Sequence, residues 1–211
     1  MKISIAGAHG QIAMYLHPLL KEAGHSIRGL IRNPDHGNEL RKAGAEPVLC
    51  DIEKEDDISD AVGDADVVIF AAGAGPGSGK ERKLSVDRDG ALKLIEAAKK
   101  NGVKRYIMIS AMKVEEPSGN EVFQVYQKAK SEADAALRES GLDYTIIRPG
   151  RLTDDKANGK IKLAHELEAG EIPREDVARV IAAVITADET IGKQLDLTEG
   201  PHSISEAISR L

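Results

Sequence analysis

Seven residues decide the fold of this chain: Gly7-Ala8-His9-Gly10-Gln11-Ile12-Ala13. They follow an apolar segment, Met1–Ala6, which predicts a short buried strand, and they precede leucines at helical spacing that continue to Gly24. A glycine-rich turn between a strand and a helix lets a diphosphate approach backbone N–H groups, and the helix dipole favours its negative charge. The stretch therefore predicts a nucleotide site whose contacts include Gly7, His9, Gly10, Gln11 and Ile12. The alternative is a structural turn whose glycines serve only the backbone.

Composition limits the class of protein. A length of 211 residues favours one domain, and aliphatic side chains must build its core because the chain has two Phe, four Tyr and no Trp. The formal net charge of −6 argues against a nucleic-acid-binding surface. A single cysteine, Cys50, excludes an intrachain disulfide and fits a reducing compartment. Because no apolar run reaches transmembrane length, we expect a cytoplasmic protein that does not bind membranes.

Strand and helix signals alternate through residues 1–150. Predicted strands lie at Met1–Ala6, Ser26–Arg32, Glu46–Asp51, Val67–Ala72, Arg105–Ala111 and Tyr144–Arg148. After the first helix, further helices are predicted at Asn33–Lys42, Asp56–Ala61, a long stretch from the Gly73–Gly79 loop to Gly102, and Gln124–Glu139. This alternation predicts an α/β fold with a doubly wound parallel sheet, the Rossmann fold, whose ligand lies at the carboxyl ends of the strands.

Signals weaken in residues 151–211, which we interpret as a small C-terminal part on the substrate side of a single domain. Strands are predicted at Lys160–Ala164 and Gln194–Leu197, and a helix is predicted at Glu175–Ala187. A terminal helix, Ser203–Leu211, is predicted to begin with a capping box formed by Ser203 and Glu206. No linker separates this part from residues 1–150, the expected cofactor-binding core.

The end of the second predicted strand indicates which nucleotide binds. It carries Arg32, and no acidic residue follows before Asp35. An acidic residue here binds the ribose hydroxyls of NAD, whereas an arginine accommodates the 2′-phosphate of NADP with its planar, permanently charged guanidinium. We therefore predict NADP(H) in preference to NAD, with Arg32 as an ordinary surface cation being the alternative. The small residues Ala71, Ala72 and Gly73 end the fourth strand and would let the cofactor lie across the backbone.

A second motif pairs Tyr126 with Lys130 on the predicted helix Gln124–Glu139. The four-residue spacing places both side chains on one helix face. A tyrosine has an ordinary pKa of about 10, and the neighbouring ammonium is expected to lower it by favouring the phenolate. The pair is therefore a candidate acid/base, and Ser110 at the end of the fifth strand precedes it. The alternative is that Tyr126 is a half-buried helix residue without a catalytic role.

Together these motifs resemble the short-chain dehydrogenase/reductase superfamily. The closest likeness is to its small atypical members, the NAD(P)H-binding or epimerase/dehydratase-like proteins related to the NmrA-like group. The motifs that carry the resemblance are Gly7/Gly10/Ala13, the segment from Ser85-Val86-Asp87 to Val103-Lys104-Arg105, Ser110, Tyr126/Lys130 and Arg148-Pro149-Gly150. The resemblance implies that Tyr126 exchanges the substrate proton, Lys130 holds the nicotinamide ribose and Ser110 polarises a carbonyl. It also implies that Asp51 and Ile52 contact the adenine, and that the nicotinamide end is lined by Pro149, Gly150 and Arg151.

Other chemistries have little support in the sequence. The six histidines show no metal-ligand spacing, so no metal is predicted and each histidine is expected on the surface or in a loop. Cys50 lies within an apolar strand and is interpreted as a packed small hydrophobe rather than a nucleophile. Glu115 and Glu116 are expected to be solvated loop charges.

The sequence therefore predicts an NADP(H)-binding oxidoreductase that transfers hydride to or from a small carbonyl or quinone-like substrate. A sugar-nucleotide epimerase or dehydratase is an alternative enzyme, although the short C-terminal part leaves little protein to bind a nucleotide sugar. A non-catalytic NADP redox sensor is the alternative from another class. The expected partner is a small-molecule substrate, and the chain is expected to be a monomer or a weak homo-oligomer.

Overall fold

A mostly parallel sheet runs through the computed structural model, which describes residues 1–75 and 77–211. The strands are β1 (Lys2–Ala6), β2 (Ser26–Ile31), β3 (Glu46–Leu49), β4 (Val67–Phe70), β5 (Arg105–Ile109), β6 (Asp143–Pro149), β7 (Arg151–Thr153), β8 (Lys160–Ala164), β9 (Glu171–Pro173), β10 (Lys193–Glu199) and β11 (His202–Ser203). In the described residues, nine of them form one sheet in the order β11-β8-β10-β6-β5-β4-β1-β2-β3. All its neighbours pair in parallel except β8, which is antiparallel to β10 and β11. The predicted doubly wound parallel sheet is confirmed.

Helices cover both faces of this sheet. They are α1 (Gln11–Glu22), α2 (Gly37–Ala43), α3 (Ser59–Val62), α4 (Lys80–Arg82), α5 (Gly90–Lys100), α6 (Glu121–Glu139), α7 (Arg174–Val184) and α8 (Ile204–Ser209). Short 3₁₀ turns lie at Pro34–His36 and Asp188–Thr190. The predicted capping box at the start of α8 is confirmed, because Ser203 and Glu206 bond each other's backbone N–H groups.

The long helix predicted to end at Gly102 is interrupted. A π-helix, Lys83–Asp89, joins α4 to α5, and such segments often occur at functional sites because the wider turn re-aims the side chains. Helical spacing in the sequence does not distinguish this wider turn from an ordinary one. Within the predicted Gly73–Gly79 loop, Pro76 lies outside the described residues.

The core has two halves, one on each face of the sheet. Alternate residues of a strand face opposite sides, so Ile69 joins the cluster beneath α1 and α7 whereas Phe70 joins the cluster beneath α5 and α6. Both side chains are completely buried. Burial on both faces explains why β4 appears in the sequence as a continuous apolar run.

The topology creates a crevice at the carboxyl ends of β1 and β4. From β1 the chain winds outward to β2 and β3, and then crosses back to β4 on the other side of β1. At such a switch point the loops after neighbouring strands diverge and leave a binding crevice. The loops that follow β1, β2, β3 and β4 meet there.

Residues 151–211 are part of the same sheet, to which they contribute β8, β10 and β11. The separate pair of β7 and β9 was not predicted, because three-residue strands are too short to show a periodic pattern. In the described part of the chain, no helix is both long enough and apolar enough to cross a membrane.

Candidate nucleotide and substrate site

The loop after β1 depends on glycine at two positions for different reasons. Gly7 has φ +80°, and a Cβ built there would lie 2.5 Å from Cα and N of Ala72, so this loop packs backbone against backbone on the end of β4. Gly10 has an extended backbone, with φ −67° and ψ 153°, that any residue can adopt. A Cβ on Gly10 would lie 3.1 Å from the Gly7 carbonyl oxygen and 3.6 Å from that of Ala71. Gly7 is therefore required by the fold, whereas Gly10 keeps the crevice open.

The N-terminus of α1 opens into this crevice. Gly10 is the N-cap residue, and within the described residues no side chain caps the helix and no acidic residue lies in its first turn. The first-turn N–H groups, including those of Gln11 and Ile12, are therefore left for an anion, which the helix dipole also favours. The side chains of Gln11 and Ile12 do not line the cavity described next.

A cavity of about 230 Å³ lies over the carboxyl ends of β1 to β4. Nine of the residues predicted to bind the cofactor line it: Gly7, His9, Gly10, Arg32, Asp51, Ile52, Ala71, Ala72 and Gly73. Eight other residues line it, among them Val86 and three polar residues that the sequence analysis did not single out: His36, Glu53 and Arg82. Arg82 and Val86 come from α4 and the π-helix, so the interrupted helix forms one wall of the cavity.

Arg32, which lines the cavity, is paired with a carboxylate. One of its guanidinium nitrogens lies 2.9 Å from Oε2 of Glu53, and Nη2 of Arg82 lies 3.2 Å from the same oxygen. The Ser85 hydroxyl donates to the other carboxylate oxygen of Glu53 at 2.9 Å. The absence of an acidic residue between Arg32 and Asp35 does not leave Arg32 without a carboxylate, because β3 lies beside β2 and brings Glu53 across from it. Two arginines and one hydroxyl converge here on a single anionic group.

Two histidines form the wall next to Arg32. The rings of His9 and His36 stack with their centroids 3.6 Å apart and an interplanar angle of 13°. Nε2 of His9 lies 2.9 Å from Oε2 of Glu39 on α2. The flat face that these rings present suits contact with a planar heteroaromatic group.

Residues that the sequence analysis set aside have structural roles. His17 is completely buried in α1, and its Nε2–H donates to the Ala8 carbonyl at 2.7 Å, which ties the helix to the glycine loop. The prediction that every histidine lies on the surface or in a loop is therefore wrong for His17, whose pKa is lowered by burial. The prediction that Cys50 is a packed hydrophobe is confirmed, since it is buried and burial raises its pKa to about 12.

Tyr126 lies on α6 beside a second cavity of about 450 Å³, which other residues of α6 and the loop before α4 also line. Its ring stacks on Phe123 at a centroid distance of 5.8 Å, and the Lys83 ammonium lies 5.2 Å from the ring centre. The pKa of Tyr126 is raised, because burial outweighs the opposing effect of Lys130. The expectation that the ammonium lowers this pKa is therefore wrong in its net direction. The phenol stays protonated at neutral pH.

Lys130 is held in a buried ion pair. Its Nζ lies 3.4 Å from Oδ1 of Asp87 in the π-helix and donates to the carbonyl of Ile109 at 3.2 Å. The other Asp87 oxygen accepts a hydrogen bond from the backbone N–H of Ala74 at 3.2 Å. Asp87 therefore links Lys130 to the loop after β4, and its charge reduces the effect of the ammonium on Tyr126.

Ser110 follows β5 and is 6% exposed. Its hydroxyl donates to Oδ2 of Asp134 at 2.8 Å. Asp134 was not predicted, although it lies four residues after Lys130 and eight after Tyr126, on the same face of α6. That spacing was the signal in the sequence that could have revealed it.

The segment predicted to line the nicotinamide end lies at the boundary between β6 and β7. Pro149 is buried, and a Cβ on Gly150 would collide with the carbonyl of Gly170, so this glycine has a packing role. The side chain of Arg151 is mostly exposed and pairs with Glu171. The preceding Arg148 is buried and makes a bidentate pair with Glu115. Glu115 is an exposed loop residue, as predicted, but this ion pair was not foreseen.

Comparison with known proteins assigns the chain to a family. The family model described as NAD(P)H-binding matches residues 7–188. The chain belongs to the NAD(P)H-binding family. Over the full length of both chains it is 42% identical to a Bacillus subtilis protein described as an uncharacterized sugar epimerase, YhfK.

Solved structures of the same family share the whole fold. A Bacillus halodurans protein, provisionally assigned as an NAD-dependent epimerase/dehydratase, is 37% identical over all of both chains, with a TM-score of 0.95. The Lactococcus lactis oxidoreductase YlbE is 32% identical over 100% of this chain and 96% of its own, with a TM-score of 0.89. The resemblance inferred from the sequence is thereby confirmed for family and fold.

Proposed function

We propose that the protein is an NADP(H)-dependent oxidoreductase acting on a small carbonyl or quinone-like substrate. The observation that carries the proposal is the N-terminus of α1, which no side chain of the described residues caps and which opens into a cavity lined by nine of the predicted cofactor-binding residues. The glycine loop fits a diphosphate, because a Cβ on Gly10 would narrow the space between the carbonyls of Gly7 and Ala71. Membership of an NAD(P)H-binding family supports the same nucleotide class.

Each part of the cofactor has candidate partners in this chain. The first-turn N–H groups of α1 would bind the pyrophosphate, and the Asp51–Ile52 segment would contact the adenine. Arg32 and Arg82 would bind the 2′-phosphate of NADP in place of Glu53, since both guanidinium groups already converge on one anionic group. Lys130, which Asp87 holds in place, would bind the nicotinamide ribose.

The bound nicotinamide supplies or accepts the hydride. Tyr126 would give the substrate oxygen its proton, and its raised pKa keeps the phenol protonated for that role at neutral pH. Ser110 would polarise the carbonyl by a hydrogen bond. The cavity beside Tyr126, about 450 Å³ in volume, is large enough for a small-molecule substrate.

We predict that cofactor preference depends on Arg32. NADPH should bind at least about tenfold more tightly than NADH, a difference of roughly 1.4 kcal/mol. Arg32→Ala should remove that difference. Glu53→Gln should instead increase NADPH affinity by about threefold, roughly 0.7 kcal/mol, because Arg32 and Arg82 are released from a competing carboxylate. Isothermal titration calorimetry with both cofactors measures all three effects.

A control variant, Arg210→Ala, removes an exposed arginine that follows α8, which packs on β8 and β11 at the other edge of the sheet from β2 and β3, and it should leave both affinities unchanged. Equal affinities of the wild-type protein for NADPH and NADH would contradict the role of Arg32. A preference for NADPH that survives Arg32→Ala would assign the phosphate site to other residues.

The names of two relatives raise a second candidate, an epimerase or dehydratase acting on a nucleotide sugar. The open groove of residues 151–211 gives little support for that substrate. It has a volume of about 720 Å³, and its lining includes the carboxylates of Glu166, Glu168, Glu171 and Glu199 against the ammonium groups of Lys113 and Lys162. An excess of negative charge disfavours a sugar diphosphate.

A single panel distinguishes these functions. Purified protein is incubated with NADPH and aldehydes, ketones or quinones, and separately with NAD(P) and nucleoside-diphosphate sugars. NADPH oxidation by a carbonyl or quinone supports the proposed reductase, whereas conversion of a sugar nucleotide supports the epimerase. Tight NADPH binding without turnover on either set favours the redox sensor.

A further inference from the structure

Asp134 is a buried acid behind Ser110 for which the proposed chemistry so far has no role. It is completely buried, and its Oδ2 accepts the hydrogen bond from Ser110 at 2.8 Å. Among the described residues, no group hydrogen-bonds its other oxygen, Oδ1. Burying a half-satisfied carboxylate is unfavourable, and buried acids with one specific partner at a site are candidates for a functional role.

The position of Asp134 couples it to the candidate catalytic residues. Tyr126, Lys130 and Asp134 recur every four residues on one face of α6. Lys130 contacts the carbonyl of Ile109, and Asp134 contacts the hydroxyl of the next residue, Ser110. Successive turns of α6 therefore hold the end of β5 at two adjacent residues.

A serine hydroxyl has a single proton to donate. While Asp134 is ionised it can only accept, so the Ser110 proton points inward at the carboxylate. When Asp134 is protonated it can donate to the Ser110 oxygen, which leaves the Ser110 proton available in the opposite direction. We propose that Asp134 is a positioning residue that switches Ser110 between bonding inward and presenting its proton to the substrate carbonyl. This inference rests on the proposed carbonyl reduction.

The surroundings of Asp134 set the pH range of the switch. Burial raises its pKa to about 7, against the lowering effects of the Ser110 hydrogen bond and of three cations. Those cations are Lys130 and Arg138 on α6 and Arg148 on β6, and the phenols of Tyr106 and Tyr126 also face Asp134. Lys130 is itself paired with Asp87. Burial therefore dominates, and Asp134 changes its charge near neutral pH.

We expect kcat/KM for carbonyl reduction to fall by about 10- to 100-fold as pH rises through about 7. A loss of about 10- to 100-fold is the effect of removing one hydrogen bond to a group that develops charge in the reaction. Asp134→Asn should give a level profile between about pH 6 and pH 9, because its amide donates to Ser110 at every pH. Ser110→Ala should be slow throughout and insensitive to the added Asp134→Asn. Tyr126 does not produce this fall, because its pKa is raised above the ordinary tyrosine value.

A second readout does not depend on turnover. In protein labelled with ¹³C-aspartate, the carboxyl signal that disappears in Asp134→Asn should titrate near pH 7 and shift in Ser110→Ala. A carboxyl that titrates below about pH 5, near the ordinary range for aspartate, would overturn the switch. So would a wild-type rate that is level across neutral pH, or an Asp134→Asn profile that keeps the fall. If no carbonyl is reduced, the proposed function fails, and the presence or absence of the titration near pH 7 still decides whether Asp134 changes charge beside Ser110.

Discussion

Lys130→Met is expected to lower the free energy of unfolding by about 3 to 5 kcal/mol, the usual effect of removing one partner of a buried ion pair. Lys130 is 4% exposed and Asp87 is completely buried, and their charged atoms lie 3.4 Å apart. Without the ammonium, the Asp87 carboxylate stays buried, and in the described part of the chain the N–H of Ala74 is its one remaining hydrogen-bond partner. Urea unfolding followed by circular dichroism measures the loss.

Two further variants test whether the broken ion pair causes the loss of stability in Lys130→Met. Lys128→Met removes the same side chain two residues earlier on α6, where it is exposed and 3.8 Å from Glu132, so it should change stability by less than about 0.5 kcal/mol. Asp87→Asn combined with Lys130→Met should restore most of the stability, because no uncompensated charge remains. A Lys130→Met loss as small as that of Lys128→Met would show that the pair contributes nothing. Although this double variant should be stable, it should bind NADPH weakly, because it lacks the ammonium of Lys130 that is proposed to contact the nicotinamide ribose.

Tyr126→Phe is expected to reduce the rate of carbonyl reduction by about 10² to 10⁴, the usual contribution of a positioned general acid. NADPH affinity should be unchanged, because Tyr126 does not line the nucleotide cavity. The raised pKa of Tyr126 places the loss of its own proton above about pH 10, so this effect is separate from the one assigned to Asp134. Steady-state NADPH oxidation with the best substrate of the panel measures it.

The control is Tyr15→Phe, which removes a hydroxyl from an exposed tyrosine on α1 and should leave the rate unchanged. If Tyr126→Phe reduces the substrate as fast as the wild-type protein, the tyrosine is not the acid. Direct hydride transfer to a quinone or flavin would then be the simpler chemistry.

The sequence predicted the parts of this molecule that depend on local pattern. Periodicity and glycine placement located the six strands that build the cofactor-binding half, and the strand ends located nine lining residues of the cavity. The residues that were missed take their roles from contacts between distant segments. Glu53 meets Arg32 only because β3 pairs with β2, and no local pattern marks that contact.

The candidate site was predicted less completely than the fold for the same reason. The sequence showed that Tyr126 and Lys130 share a face of α6, but the net pKa of Tyr126 follows from burial and from Asp87, which lies in a π-helix that helical spacing cannot reveal. Asp134 is different, because its spacing from Lys130 was visible in the sequence. Its meaning required the position of Ser110, which only the folded chain provides.

The central claim is that the crevice between the Gly7–Gly10 loop and β4 binds the pyrophosphate of NADPH. Calorimetric titration of NADPH into the wild-type protein and into Gly10→Val tests this most directly. The extended backbone of Gly10 suits valine, and the 3.1 Å contact of its Cβ with the Gly7 carbonyl oxygen requires a shift of only a few tenths of an ångström, so the fold should survive. The added methyl groups would fill the crevice beside the Gly7 and Ala71 carbonyls. Gly79→Val is the matched control, because Gly79 also has an extended backbone and, among residues 1–75 and 77–211, no atom lies within 4 Å of its Cβ position.

We expect saturable binding of NADPH to the wild-type protein and to Gly79→Val. Binding to Gly10→Val should be weaker by at least about 100-fold, roughly 2.7 kcal/mol. A folded Gly10→Val variant that binds NADPH as tightly as the wild-type protein would contradict this site, and a wild-type protein that binds neither NADPH nor NADH would contradict the function.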